Sequence, residues 1–312
     1  MKIFFSIIVP TYNQGDLLLR CIKSILSQTF KKYEIIVIDN NSSDNTKNII
    51  KRYRKQIIFR KINNKGIIAK SRNLGIKISK GKWISFLDSD DAWSPNKLKV
   101  TYEKIKNHNL DIICNNEWII SNKKFRIWSY GPNKCDLYKY MLKYGNVMST
   151  SASSVRKKFL TDNKIFFNEG KKFVTAEDYD FFLNLASKKG KFYFISSPLG
   201  FHYFHKKNAS ANRKKHVNSI KEVLKFHSYN IQKFNLNKKR FYLDCKSNFE
   251  FQNNLIYCIN KKLIFNYEIL KISTSAFKNP IEKCCILFIL IKKKIINSFT
   301  TLKFKILNKY LP

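Results

Sequence analysis

The sequence predicts an α/β protein with a mostly parallel β-sheet flanked by helices. Up to about residue 115, short runs of β-branched and apolar residues alternate with helical stretches, which is typical of βαβ units. The runs SIIV and EIIVI are continuously apolar, as expected for strands that are buried on both faces. With 44% hydrophobic and 15% aromatic residues, the chain of 312 residues can close a full core.

The elements follow one another in a regular order. Strands are predicted at 4–9, 34–38, 57–62 and 83–87, and helices at 16–27, 46–54 and 66–79. From about 111 to 205 the pattern is mixed, with strands near 112–115, 118–121 and 192–195 and a helix at 178–188. After about His216 the apolar spacing is helical to the end. We therefore expect three segments, 1–110, 111–210 and a helical C-terminal extension over 211–312.

The chain is strongly basic, with 60 Lys and Arg against 21 Asp and Glu and a net charge of +39. Residues 206–312 hold 23 of these basic residues and only 5 acidic ones. Such a charge implies attraction to nucleic acid, acidic lipid or a phosphorylated substrate, although a lysine-rich coding bias accounts for it as well. No helix-turn-helix or zinc pattern is present, and the aromatic residues are not interleaved with Arg and Gly, so we do not expect nucleic acid as a partner.

Cysteine usage and apolar runs predict a cytoplasmic protein. The seven Cys form no CxxC pair, which favours a reduced setting. The longest late apolar run, 284–291, is far shorter than the roughly 20 residues that span a bilayer, so no transmembrane helix is expected.

Three carboxylates, Asp88, Asp90 and Asp91, come directly after a predicted strand in WISFLDSDDAWSP. In an open α/β sheet, ligands bind beyond the carboxyl ends of the strands. Because side chains two apart on an extended backbone point the same way, Asp88 and Asp90 can face one ligand. A hard divalent cation would offset their repulsion, since Mg²⁺ and Mn²⁺ prefer carboxylate and phosphate oxygen. Taken alone, the motif favours a solvated acidic turn over a metal site.

The motifs taken together are far more specific than any one of them. PTYN, VIDNNSSDNT, NKGIIAKSRNLGI, WISFLDSDDAWSP and AEDYDFFLNLA stand in this order, while neither GxGxxG nor a P-loop is present. The set resembles the bacterial family 2 glycosyltransferases, inverting enzymes of the GT-A fold, over roughly residues 4–205. The resemblance implies that 1–110 is the nucleotide-sugar-binding half of the GT-A domain and 111–210 the acceptor-binding half. It does not cover the basic extension.

The resemblance also implies a donor site. Its residues would be Pro10, Thr11, Tyr12, Asp39, Lys70, Arg72, Asp88 and Ser89. Thr11 and Tyr12 would line the nucleotide base and Asp39 would hydrogen-bond it, although a turn cap explains Asp39 as well. Where the family usually has a second acid after this position, the chain has Asn40. Arg72 would lie near the diphosphate because its fork of donors suits phosphate oxygens.

A metal site and a catalytic base are implied in the same way. Asp90 would ligate a divalent cation, Mn²⁺ or Mg²⁺, directly, supported by Asp88 and His205. His202 is the alternative histidine, and an exposed surface histidine explains either one equally well. Two further acids, Asp91 and Glu177, would bind the acceptor. Asp178 would be the general base, although an acid in the first turn of a helix is also favoured by the helix dipole.

The function implied is an inverting, metal-dependent transfer of one sugar, hexosyl or N-acetylhexosaminyl, from a nucleotide-sugar donor, most simply a UDP-sugar. The acceptor would be a hydroxyl of a glycan or lipid-linked molecule in cell-surface polysaccharide synthesis, such as capsule, O-antigen or lipooligosaccharide. The alternatives are a nucleotidyltransferase, a basic nucleic-acid-binding protein or an inactive scaffold.

The basic extension has two interpretations that the sequence leaves open. It can attach peripherally to an anionic inner membrane face through 292–294 and nearby apolar residues such as Phe288. It can equally pack as a helical bundle on the catalytic domain.

Overall fold

The computed structural model describes residues 2–121, 124–133, 136–204 and 212–230, together with Cys245 and Phe249. The strands are β1 (Phe5–Thr11), β2 (Tyr33–Asp39), β3 (Ile57–Lys61), β4 (Trp83–Phe86), β5 (Ala92–Trp93), β6 (Ile112–Ser121), β7 (Lys124–Trp128), β8 (Ser153–Arg156) and β9 (Phe192–Tyr203). The helices are α1 (Gly15–Leu26), α2 (Thr46–Arg52), α3 (Ile68–Ile78), α4 (Lys97–Asn107), α5 (Leu137–Tyr144), α6 (Lys157–Asp162), α7 (Glu177–Ser187) and α8 (Arg213–Asn230).

In the described residues, nine strands form one mixed sheet in the order β3-β2-β1-β4-β8-β6-β9-β5, with β7 paired to β6. The first four strands are parallel, which confirms the predicted βαβ half. In the second half, β8 runs antiparallel to both β4 and β6, and β9 runs parallel to β6. The sheet therefore continues across residue 110 and joins the two predicted halves. The two strands predicted within 112–121 are one strand, and β5, β7 and β8 were not predicted.

The chain divides into two compact units, one of residues 1–135 and 147–219 and one of 136–146 and 220–312. In the second unit the Tyr138 hydroxyl lies 3.1 Å from Nδ1 of His227, and both side chains are buried. Helix α8 confirms the predicted helical periodicity as far as Asn230. The rest of the predicted extension, including Phe288 and 292–294, lies outside the described residues. In the part of the chain that the structure describes, no helix is long and apolar enough to cross a membrane.

The parallel strands bring three polar loops to one edge of the sheet. Strands β1 and β2 are buried over almost their whole length and are in register, with Thr11 opposite Asp39. The backbone N–H of Asn40 continues the ladder by donating to Thr11 O, and that of Leu87 donates to Ile8 O. The loops after β1, β2 and β4 therefore begin side by side, as the sequence predicted.

Lys97, the first residue of α4, is buried against an aromatic ring, and no carboxylate pairs with it among the described residues. It is 1% exposed, and its Nζ lies 4.5 Å from the centre of the Trp93 ring and 3.5 Å from Ala152 O, which is long for a hydrogen bond. No ion pair to Lys97 occurs among the described residues. Removal from water lowers its pKa to about 8, although Cys114 and Glu117 act in the opposite direction. The positive end of the α4 dipole adds to the cost of this charge.

We expect Lys97→Met to stabilise the protein at pH 7 by about 1–3 kcal/mol, because methionine keeps the packing and removes a buried charge. The free energy of urea unfolding measures the effect. The folded-state pKa lies below the unfolded one, so the wild type gains stability between about pH 8 and 10.5 and the difference should shrink there. Lys99→Met, an exposed change on the same helix, is the matched control. A destabilised Lys97→Met protein would contradict this reasoning.

Candidate active site

The loops after β1 and β2 hold each other through side chains. Asp39, at the end of β2, is 5% exposed and accepts from the Ser42 backbone N–H and hydroxyl. Ser42 Oγ in turn accepts from the backbone N–H of Asn13, a residue with φ of +48°. Tyr12 is 56% exposed, whereas Pro10 and Thr11 are buried. Asp39 thus makes the turn-cap contact, and Tyr12 presents its ring to solvent beside it.

The three carboxylates of the acidic loop after β4 have different surroundings. Asp91 is 1% exposed and accepts from the Ser151 hydroxyl at 2.6 Å and from the Tyr203 backbone N–H at 3.2 Å. Its other contact is Nδ1 of His202, 3.1 Å from Oδ1. Although we expected Asp91 to bind the acceptor, its carboxylate is enclosed by protein groups and anchors the loop. Ser89 is also buried, and its hydroxyl donates to Gln14 Oε1.

The pKa of Asp90 is strongly affected by the surroundings of its carboxylate. Removal from water, followed by the charges of Asp91 and Asp88, raises the pKa of Asp90 to about 7. Its backbone carbonyl accepts from Arg20, whose guanidinium stacks 3.4 Å from the centre of the Tyr203 ring. The loop is therefore fixed at Asp90 by its backbone, while the carboxylate sits among like charges.

Arg72 joins the acidic loop to helix α7. Arg72 is 3% exposed, with Nη2 2.8 Å from Asp88 Oδ1 and Nη1 2.8 Å from Glu177 Oε1. Burial alone would lower the pKa of Arg72, but the two carboxylates raise it overall. We expected Arg72 to contact a diphosphate and Glu177 an acceptor. In this structure they bind each other, and Lys70, half-buried on α3, takes no part in these contacts.

The Glu177-Asp178 pair begins helix α7, as predicted. Glu177 is 6% exposed and uses its second oxygen to accept from the Thr175 backbone N–H at 2.9 Å. Removal from water and the charge of Glu177 raise the pKa of Asp178 to about 7, against the opposing effect of Arg72. A carboxylate with a pKa near neutrality suits a general base. Asp180 is buried and accepts from Asn184 one turn later, which is a structural contact.

Sequence reasoning ranked His202 below His205 and did not single out Ser151, although His202 and Ser151 both lie at this edge. His202, at the end of β9, is held against Asp91; burial opposes its charge, but Asp91 and Glu117 raise its pKa to about 10. Ser151 accepts from the Asp88 backbone N–H and donates to Asp91, so it sets the spacing between them. The serine-rich run STSASS around Ser151 has no pattern that marks such a role. His205 lies outside the described residues.

The residues present fit a divalent cation held mainly by one protein carboxylate. Within the described ranges no three His, Cys, Asp or Glu side chains converge on one metal position. Asp88 binds Arg72 and Asp91 binds His202. The charges of Asp91 and Asp88 raise the pKa of Asp90 against the opposing charge of His202, so a cation beside Asp90 would relieve this repulsion. One or two carboxylates completed by substrate phosphates is the usual arrangement for Mg²⁺.

The fold and this edge define a GT-A-type glycosyltransferase. Residues 6–168 match the sequence profile of Glycosyl transferase family 2. A β-1,3-glucosyltransferase of Escherichia coli, WfaP, which by its name transfers glucose from UDP-Glc to α-D-GlcNAc-diphosphoundecaprenol, is 32% identical over 223 residues, which are 70% of this chain and 85% of that protein.

Solved structures agree on the fold. The S. aureus TarS 1–349 complex with UDP-GlcNAc has a TM-score of 0.62 at 21% identity, covering 79% of this chain and 71% of that one. The mannosyltransferase PcManGT from Pyrobaculum calidifontis, in complex with GDP-Man and Mn²⁺, has a TM-score of 0.56 at 14% identity, covering 96% and 82%. The chain belongs to glycosyl transferase family 2, and the predicted GT-A fold is confirmed.

We expect Arg72→Met to destabilise the protein by about 3 kcal/mol at pH 7, because it leaves two carboxylates, one of them deeply buried, without their cation. Urea unfolding without any nucleotide measures the loss. Arg52→Met, an exposed change on α2, should stay within about 0.5 kcal/mol of wild type. An Arg72→Met protein as stable as this control would show that the bridge does not hold the two segments together.

Proposed function

We propose that the chain transfers one sugar from a UDP-sugar, with inversion, to a hydroxyl of a glycan or lipid-linked acceptor. The observation that carries this is the Arg72 bridge, which ties the loop of Asp88 and Asp90 to the helix of Asp178. Donor-side carboxylates and a carboxylate with a pKa near 7 therefore lie at one edge of the sheet.

The donor would bind over the loops after β1 and β2. The exposed Tyr12 offers an aromatic face for a nucleobase, and the Asp39 carboxylate stands at the end of the neighbouring strand. The UDP-GlcNAc bound by TarS and the UDP-Glc in the name of WfaP support uridine as the base and a hexose or N-acetylhexosamine as the sugar. The diphosphate would then reach the acidic loop after β4.

In the reaction, the acceptor oxygen forms a bond to the anomeric carbon as the bond from that carbon to the diphosphate oxygen breaks. The bonding electron pair leaves with the nucleoside diphosphate, and Asp178 takes the proton of the attacking hydroxyl. A single displacement of this kind inverts the anomeric configuration. Asp90, supported by Asp88, would hold a divalent cation, which supplies Lewis-acid stabilisation of the charge on the departing diphosphate.

The acceptor and the cellular setting are proposed from the relatives. The name of WfaP gives a lipid-diphosphate acceptor, which suits synthesis of cell-surface polysaccharide. An acceptor in the membrane would favour an enzyme held at its anionic face, and the basic residues at 206–312 suit such a surface. We therefore propose a peripheral location at the inner face.

We expect Asp178→Asn to lower kcat for sugar transfer by at least 100-fold while the Kd for UDP changes less than twofold. In the wild type, kcat/KM should rise with pH up to about 7 and level off above, because the base must be deprotonated and its pKa lies near 7. Release of UDP from candidate donors in the presence of acceptor measures kcat and kcat/KM. Asp180→Asn, two residues further into the helix, is the control. Full activity of Asp178→Asn would rule out its role as base.

We expect UDP with Mn²⁺ to raise the Tm of the wild type, and neither component alone to do so to the same extent. In Asp90→Ala this shift should vanish, because the carboxylate that would hold the cation between protein and diphosphate is gone. Thermal unfolding with and without EDTA measures the effect, and Asp136→Ala, an exposed change far along the chain, is the control. An unchanged Tm with every nucleoside diphosphate would refute the proposed donor class.

A further inference from the structure

The turn that leads into the catalytic helix is strained. Thr175, two residues before Glu177, has φ of +84°. For a β-branched residue this region is a genuine outlier that costs on the order of 1–3 kcal/mol. Its hydroxyl oxygen is buried and has no hydrogen-bond partner among the described residues, so the side chain does not offset this cost. Other contacts must hold the turn in place.

Helix α8 supplies two of these contacts. Nδ1 of His216 lies 2.8 Å from Thr175 O, and Ser219 Oγ donates to Val174 O at 2.7 Å. A carbonyl oxygen only accepts, so Nδ1 of His216 carries the hydrogen. Burial lowers the pKa of His216, so the neutral imidazole is the form that donates at neutral pH. The two carbonyls of the turn are therefore held from one helix, two turns of which lie in the same compact unit as the site.

Glu177 holds the turn from the other side. The Thr175 backbone N–H donates to Glu177 Oε2 at 2.9 Å, while Oε1 of the same carboxylate binds Arg72 at 2.8 Å. A continuous set of contacts thus runs from α8 through the turn to Glu177 and Arg72. Any relaxation of Thr175 toward negative φ would turn the first residues of α7, and with them Asp178.

We propose that His216 and Ser219 are positioning residues for the reaction, which hold the strained turn at Thr175 so that Asp178 is aimed at the acceptor hydroxyl. The inference rests on the proposed role of Asp178 as base. Its physical basis is that a misplacement of about 1 Å at a reacting group can cost about 100-fold in rate. The two residues lie outside the segments that bear the donor site, so donor binding should not depend on them.

The first test compares the effects of substitutions on kcat and on the Kd for UDP in the full chain. His216→Leu should lower kcat by about 10- to 100-fold and leave the Kd for UDP within twofold of wild type. His216→Asn should recover at least half of the lost kcat, because its amide N–H can take the place of Nδ1–H. His108→Leu, at an exposed histidine stacked on Tyr193, is the matched control. Equal losses in His216→Asn and His216→Leu, or a weakened UDP affinity, would overturn the proposal.

The second test asks whether His216 acts through Asp178. In an Asp178→Asn background, adding His216→Leu should cause no further loss of the residual activity, because there is no base left to aim. The same factor lost in both backgrounds would show a separate effect and overturn the proposal. If Asp178→Asn alone retained wild-type activity, the proposed base would fail instead, which keeps the two failures distinct.

Ser219→Ala provides a variant that removes one hydrogen bond and little volume, in case His216→Leu does not fold. It should lower kcat about 3- to 10-fold with unchanged UDP affinity and a nearly unchanged far-UV spectrum. A Ser219→Ala enzyme with wild-type kcat would contradict the positioning role of Ser219.

Discussion

The buried guanidinium of Arg72 is the interaction on which the site depends. It takes its two carboxylates from Asp88 and Glu177, which lie after β4 and at the start of α7 and are 89 residues apart in the chain. Each of these acids would be costly to bury alone, and so would the arginine. Because arginine presents N–H donors from three nitrogens in a rigid plane, one side chain can use Nη1 and Nη2 to bind both partners at 2.8 Å. Lysine has no comparable geometry.

The same logic explains why a chain with so many cations gathers acids after β4. Of the three, Asp88 forms an ion pair with Arg72 and Asp91 forms one with His202, and both contacts hold the loop in place. The charges of Asp91 and Asp88 raise the pKa of Asp90, and the charge of His202 opposes this only in part. A cation bound beside Asp90 would lower this repulsion at the edge where the parallel strands end.

The sequence was sufficient for the parallel half of the fold and much less so for the rest. Strands β1 to β4 are continuous apolar runs, and the loops that follow them must share an edge whatever the details of packing. Strands β5 and β8 have two and four residues, too few to show a period, and are stabilised by pairing with β9, β4 and β6. The roles of Ser151 and His202 likewise arise from contacts across more than 50 residues, which no local pattern encodes. For Arg72, the residue was predicted and its partners were not.

The end of the catalytic unit is likewise defined by contacts in the structure and not by the periodicity of the sequence. The resemblance stops near residue 205, and helical periodicity starts soon after, so a boundary at 211 was the natural prediction. His216 and Ser219, however, bind the backbone of the turn at Thr175 and fall in the compact unit that ends at Ser219. A backbone conformation that costs about 1–3 kcal/mol persists only where contacts from neighbouring residues hold it in place. The first two turns of α8 are those neighbours, and this makes them a structural part of the domain that carries Asp178, whatever the remainder of the extension does.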